Sequence, residues 1–321
     1  MYSFARTPRW LAGHALAGGL LVIFLIAGFW QLSRHHEVRD HNAAIIERQD
    51  MRPLDVEEFL TALDAAVGAS DAADAGAAAV DYGSGPLAEL EYRPVSLSVA
   101  GVGWGDAVQI RNRSLRGVPG CHLALPMAAD VSATASALDD DATDELRAAN
   151  SGARIEGGAR GVLVVAGWLP TGGVCEDAVD KGADAFRGGL SDLRHIEGRI
   201  RLSQQRGLLG PADPQQGRLD SLARTDVGRI DQQTSLDLVP VYIELTTAAR
   251  ADGTPIGVGD DAAGTGLTAL LAPLAPPELD VGPHLGYTFQ WFSFAAVAVV
   301  GYTLVLRHQA RKGESEQIAD D

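Results

Sequence analysis

Apolar positions form two unbroken runs near the ends of the chain and short alternating runs between them. Residues 11–29 hold His14 as their only ionisable side chain, and residues 289–306 carry no charge. At 1.5 Å of rise per residue, each run nearly matches a hydrocarbon core of about 30 Å, so each predicts a spanning helix. The chain divides into a cytoplasmic N-terminus (1–9), a first transmembrane helix (10–31), an outer segment (32–287), a second transmembrane helix (288–306) and a cytoplasmic tail (307–321). A cleaved signal peptide competes for the first run, because Arg6 and Arg9 precede it. The run is too long for that, and Trp30-Gln31-Leu32-Ser33-Arg34 follows where a small-residue cleavage site would stand. Arg307, Arg311 and Lys312 follow the second run, while the stretch just before it has no Lys or Arg. That asymmetry assigns both termini to the cytoplasm and the middle of the chain to the outside.

In the outer segment the helical pattern continues through residues 41–52 and is interrupted by Pro53. A short amphipathic helix follows, with Asp55 as N-cap and Glu58 three residues on in the capping-box position. Six runs rich in Val, Leu and Ile then read as strands: residues 94–101, 107–112, 121–127, 161–169, 194–202 and 238–247. Polar stretches rich in Ala, Gly and Asp separate them at 128–151, 171–190 and 249–266, and residues 67–85 read as a flexible insertion. The fold class expected is a membrane protein whose two transmembrane α-helices flank an extracytoplasmic, mainly antiparallel, barrel-like β domain with long polar insertions.

Charge narrows the partners. The chain has 42 acidic and 26 basic residues, a net −16, and the acidic excess lies in the outer segment. Nucleic acid is excluded as a partner, since it needs a basic face. Lys181 and Lys312 are the only lysines, the arginine bias of a GC-rich bacterial genome, and the location expected is a bacterial cell membrane. Cys121 and Cys175 both lie in the outer segment, where an oxidising compartment permits them to pair. Such a bridge would contribute about 4 kcal/mol in the chain-entropy model; the alternative is two unpaired thiols in separate loops. The pair is not the close C-x-x-x-C of a copper carrier. The chain has no G-x-S-x-G, H-E-x-x-H or P-loop pattern, so no enzyme activity is expected. Gly101-Val102-Gly103-Trp104-Gly105 reads as a turn, and Asp139-Asp140-Asp141 as a solvated loop.

Candidate chemistry gathers where the two helices leave the membrane on the outer side. Trp30-Gln31 leaves it and Gln290-Trp291 enters it, and an aromatic belt accounts for the tryptophans. The amides call for more, because a polar group in the first turn of a span bonds another helix. Gln31 is expected to meet Gln290 or a partner protein. His284 lies one turn before the second span, and His35 and His36 lie one turn after the first, all at similar depth. Neutral imidazole is an axial ligand for haem iron, and Tyr287, Phe289, Trp291 and Phe292 would cover a porphyrin face. The plainer reading is hydrated interfacial histidines and anchoring aromatics. His14, inside the first span, is expected to make a helix contact.

Several motifs, in order, resemble the Surfeit-locus-one (Surf-one) family. Gly28-Phe29-Trp30-Gln31-Leu32-Ser33-Arg34 is similar to its G-x-W-Q-L-x-R, and Tyr92-Arg93-Pro94-Val95 and Gly117-Val118-Pro119-Gly120 follow. Gly161 to Pro170 is similar to the family's V-L-V-N-R-G-W-V-P, and Pro240, Tyr242 and Glu244 to its late P-x-Y-x-E strand. Pro283-His284-Leu285-Gly286-Tyr287, running on through Gln290-Trp291-Phe292 to Ala295, resembles P-H-L-x-Y-x-x-Q-W-F-x-F-A. Val165-Ala166 stands where relatives carry Asn-Arg, so an arginine able to pair with a propionate or a partner carboxylate is absent. The resemblance implies maturation of cytochrome c oxidase, with transient haem a handling centred on His284. Trp30, Gln31, Arg34, Gln290 and Trp291 are then candidate partner or interhelix contacts. Implied partners are the oxidase subunits, the respiratory supercomplex with which high-GC Gram-positive relatives travel, a haem a synthesis enzyme and the lipid bilayer. A structural accessory subunit that binds no haem is the competing reading.

Overall fold

The computed structural model describes residues 6–73, 85–130, 159–172, 174–180, 190, 193–206, 210–251, 253, 255–256 and 271–319, and the statements below concern these residues. They form two compact units, Met1–Ala44 with Pro277–Asp321, and Ile45–Pro276.

The first unit is helical. Helix α1 (Pro8–Gln49) and the last helix, α6 (His284–Ala319), are long and apolar enough to cross a membrane. Only 6 % of each apolar window is buried, so neither is the core helix of a soluble domain. At 1.5 Å per residue the 42 residues of α1 extend about 63 Å, twice the hydrocarbon thickness. Beyond Leu32 the side chains turn polar, and Arg34 and Arg39 pair with Glu37 and Asp40 of the same helix.

The second unit is a mixed sheet between two apolar clusters. Helix α2 (Val56–Ala73) starts at a reciprocal cap: Glu58 N–H donates to Asp55 Oδ1 at 2.8 Å, and Asp55 N–H donates to Glu58 Oε2 at 3.3 Å. The Arg52 hydrogen bond, then the Asp55 N–H, hold the Glu58 carboxyl down at about 2. The helix buries Val56, Phe59, Leu60 and Leu63 at helical spacing. Short α3 (Pro86–Leu90) adds Leu87 and Leu90 to the same cluster.

Strands β1 (Pro94–Val102), β2 (Val108–Leu115), β3 (Val118–Ala129), β4 (Arg160–Pro170), β5 (His195–Leu202), β6 (Ser221–Leu222), β7 (Asp237–Ala249) and β8 (Pro255–Ile256) follow in chain order. Helix α4 (Val174–Asp180) lies between β4 and β5, and α5 (Val227–Asp231) between β6 and β7. The sheet order is β1-β5-β7-β4-β3-β2-β6, with β8 on β7. Its first strand also pairs β3, at Val99, Gly101 and Val102, and that short pairing is as much of the expected barrel as the strands display.

The sheet is mixed, which corrects the mainly antiparallel expectation. β4 pairs β7 in parallel, and β2 pairs β6 in parallel over two residues. A crossover made of α4, β5, β6 and α5 returns the chain beside β4 in the same direction. The sign of this in the sequence is the unbroken apolar run of β4, which is buried on both faces. Val162, Val164 and Ala166 enter the larger cluster with α2 and α3, while Leu163 and Val165 enter the smaller one with Val227 and Ile230 of α5. Strands β1 and β5 alternate instead, with Val95, Leu97, Ile196 and Ile200 inward.

The polar insertions are less empty than their composition implies. Residues 67–73, expected to be flexible, continue α2, and the stretch 171–190 contains α4. Residues 255–256 form β8. The remaining expected insertion residues, including Asp139-Asp140-Asp141, lie outside the described residues.

His122 on β3 gives this unit an acid sensitivity. Burial first, and the Arg113 guanidinium second, push its imidazole from the usual 6.5 down to about 4. The folded chain keeps the ring neutral, whereas the unfolded chain takes up a proton near 6.5. Its contribution is complete above pH 6.5 and is lost as the pH falls to about 4, below which both states are protonated. His122→Gln is expected to flatten urea-midpoint stability across that window, by roughly 2 kcal/mol between its ends. An unchanged acid slope in the variant would remove His122 from the account.

Candidate functional site

The site lies in the helical unit, where α6 begins. Its N-terminal turn starts at His284, after Gly282 at φ +66°, a left-handed backbone that glycine adopts without strain. Gln31 Oε1 of α1 lies 2.9 Å from His284 Nδ1. Asn42, buried on the same helix, donates from Nδ2 to the Leu279 carbonyl at 2.8 Å. Residues 31, 35, 38 and 42 recur at helical spacing, so one stripe of α1 carries Gln31, His35, Val38 and Asn42. The two hydrogen bonds at the ends of this stripe pin the strap Leu279–His284 along it.

Within that stripe His35 Nδ1 is buried and has no hydrogen-bond partner. His36, the next residue, is exposed, with its ring centroid 5.8 Å from that of His35. The Cδ2–Nε2 edge of His284 faces Gly282, where an added Cβ would stand 3.5 Å from both atoms. Glycine at this position keeps a side chain from packing against that edge of the imidazole.

Below the site, aromatic rings join the helices. Phe24 lies 5.9 Å from Trp291 and 5.8 Å from Phe294, and Phe29 meets Phe292 edge-on at 5.2 Å. Gly28 is buried against the Phe292 ring, where a Cβ would approach to 2.7 Å, so the close approach of the helices requires glycine. Near the far ends His14 bonds the Tyr302 hydroxyl, the helix contact expected of it.

The candidate residues therefore separate. Gln31 meets His284 rather than Gln290, which is exposed on α6. Trp291 packs between the helices, whereas Trp30 and Tyr287 are 61 % and 47 % exposed and Phe289 is 76 % exposed. Arg34 pairs with Glu37 on its own helix at 3.1 Å. Asn42 and Gly282 escaped the sequence reading. The stripe spacing from Gln31 pointed to Asn42, and the Gly-Pro step before a helix pointed to Gly282.

The sheet unit holds a half-buried ionic group that was also missed. Arg199 and Arg201 project from one face of β5 beside Glu244 of β7. Arg201 also reaches Glu91 at 3.2 Å and lies 4.4 Å over the Tyr92 ring. Nearby, Gln204 donates to the hydroxyl of Tyr242, whose phenol burial pushes up to about 12. Cys121 of β3 and Cys175 of α4 are joined, with an S–S distance of 2.14 Å and both residues buried.

Two membrane-length helices, a polar site where the second begins and a mixed sheet unit define a class of membrane protein with a folded domain between its spans. A family model narrows the class: the SURF1 family matches residues 19–296, and the chain belongs to that family. It is a family of cytochrome c oxidase assembly factors rather than classical enzymes, and its partners are oxidase-related. No curated protein matches the chain.

Proposed function

We propose that the protein takes up haem a as cargo during assembly of cytochrome c oxidase and passes it towards the catalytic subunit, with His284 as the iron ligand. The observation that carries this reading is the state of His284: one ring nitrogen engaged by Gln31, and the opposite edge turned towards Gly282, which has no side chain to fill the space beside it. A ring so held is oriented before any ligand arrives. His35, with its buried and unpaired Nδ1 on the same stripe of α1, is the second imidazole of the site, and exposed Tyr287 one turn along α6 flanks it. Trp291 serves the helix pair, and Trp30, Arg34 and Gln290 are left for the oxidase or lipid.

Both termini are assigned to the cytoplasm by Arg307, Arg311 and Lys312, and the sheet unit to the outer side of a bacterial membrane, where a disulfide persists. The partners proposed are the oxidase subunits, their respiratory supercomplex and the enzyme that makes haem a. A second reading, a resident accessory subunit that binds no haem, draws on Val165-Ala166. Both residues are buried in β4, so this chain offers no basic group there for a propionate.

The test is the absorption spectrum of the full chain, purified after co-expression with the haem a synthesis enzymes, beside His284→Ala. A haem a spectrum in the wild type that the variant loses is expected. A haem-free wild type that still co-purifies with oxidase subunits would overturn haem handling and leave the accessory role.

A further inference from the structure

We infer that Gln31 is a positioning residue that fixes the tautomer of His284, and so determines which ring nitrogen meets an incoming iron. The inference rests on the proposed role of His284. An amide oxygen accepts hydrogen bonds and cannot donate them, so the ring nitrogen facing Gln31 Oε1 at 2.9 Å carries the proton. A neutral imidazole has one N–H, and with it on Nδ1 the electron pair of Nε2 is bare. In water a histidine side chain prefers the opposite arrangement, with the proton on Nε2, where it would block the metal. Gln31 reverses that preference, and the bare nitrogen lies on the edge next to Gly282.

The geometry ties the effect to one side chain. Gln31 lies on the α1 stripe whose other end, Asn42, holds the Leu279 carbonyl, so the backbone leading into His284 is fixed separately from its ring. Loss of the Gln31 amide leaves the strap anchored at Asn42 and frees the imidazole to choose its own proton position. A hydrogen-bond acceptor on the outer nitrogen of a metal-binding histidine also raises the basicity of the inner one, and its removal weakens metal binding by about 10- to 100-fold.

The experiment is 15N NMR of the haem-free full chain in lipid nanodiscs with labelled histidine, the His284 signals assigned by their loss in His284→Ala. In the wild type at mildly alkaline pH, Nδ1 is expected in the protonated range and Nε2 in the unprotonated range. Gln31→Glu keeps an acceptor of the same length and is expected to preserve the pattern. Gln31→Leu is expected to move the proton largely to Nε2 and to weaken haem a uptake about 10- to 100-fold. A wild-type His284 protonated at Nε2, or a Gln31→Leu pattern identical to the wild type, overturns the inference. A wild type with the expected tautomer that takes up no haem overturns the proposed function instead, and the two failures are thereby separated.

Discussion

Glu244→Gln is expected to lower the stability of the sheet unit by about 3 kcal/mol, read as a fall in its urea midpoint at neutral pH. Glu244 Oε2 accepts from Arg199 Nε at 2.6 Å, and Oε1 accepts from Arg201 Nη1 at 3.2 Å. The three side chains are only 12 %, 13 % and 21 % exposed, so water screens the pairs little. An amide in place of the carboxylate leaves two guanidinium groups side by side. Arg201 then retains Glu91 as an ion-pair partner, whereas Arg199 is left with neutral acceptors, the Ala275 carbonyl among them. Much of the loss comes from cations stranded out of water rather than from the attraction removed. The exposed Arg39–Asp40 pair is the comparison, because Asp40→Ala is expected to change little. A Glu244→Gln shift no larger than that of Asp40→Ala would show that solvent reaches the cluster freely.

Removing the disulfide has an effect of similar size by a different route. The Cys121→Ala, Cys175→Ala double variant is expected to lose about 4 kcal/mol, because the bond closes a loop of 54 residues and so restricts the unfolded chain. The same bond fastens α4 to β3, and Cys175 and Ala178 of α4 belong to the larger apolar cluster. Dithiothreitol should move the wild-type midpoint most of the way to that of the variant. Equal midpoints for oxidised wild type and double variant would mean that the unfolded chain is already constrained across this loop.

The strands were legible because their signal is local. Residues 94–101 and 194–202 alternate, and the structure has β1 and β5 there within a residue or so of each predicted end. The parallel partnership of β4 and β7 was not legible in the same way, since strand direction depends on the path of the crossover rather than on side-chain period. Helix α2 was recognised at its cap but not in its length, because Ala, Gly, Ser and Asp in residues 67–73 read as linker composition while Ala is itself a strong helix former. The histidines at the helix ends were visible as residues, but their sorting was not. One position separates half-buried His35, whose Nδ1 is shielded, from exposed His36, and only the face that α1 turns to the strap decides between them. Pairing of Arg199 and Arg201 with Glu244 needed the β5–β7 register, which residues 43 to 45 positions apart do not announce.

The central place of β7 has a consequence for biogenesis. Strands β4 and β5 each need β7 as a neighbour, and β7 is the last long strand to be synthesised. A nascent chain that has emerged only as far as β5 holds two strands with open edges, the state most prone to pairing with another chain. The next major element described, α6, starts about 35 residues after β7 ends, a delay of about 2–7 s at ordinary elongation rates. Closure of the sheet and entry of the second helix into the bilayer thus fall in the same few seconds of synthesis, and a chaperone guarding the open strands has only that interval in which to let go.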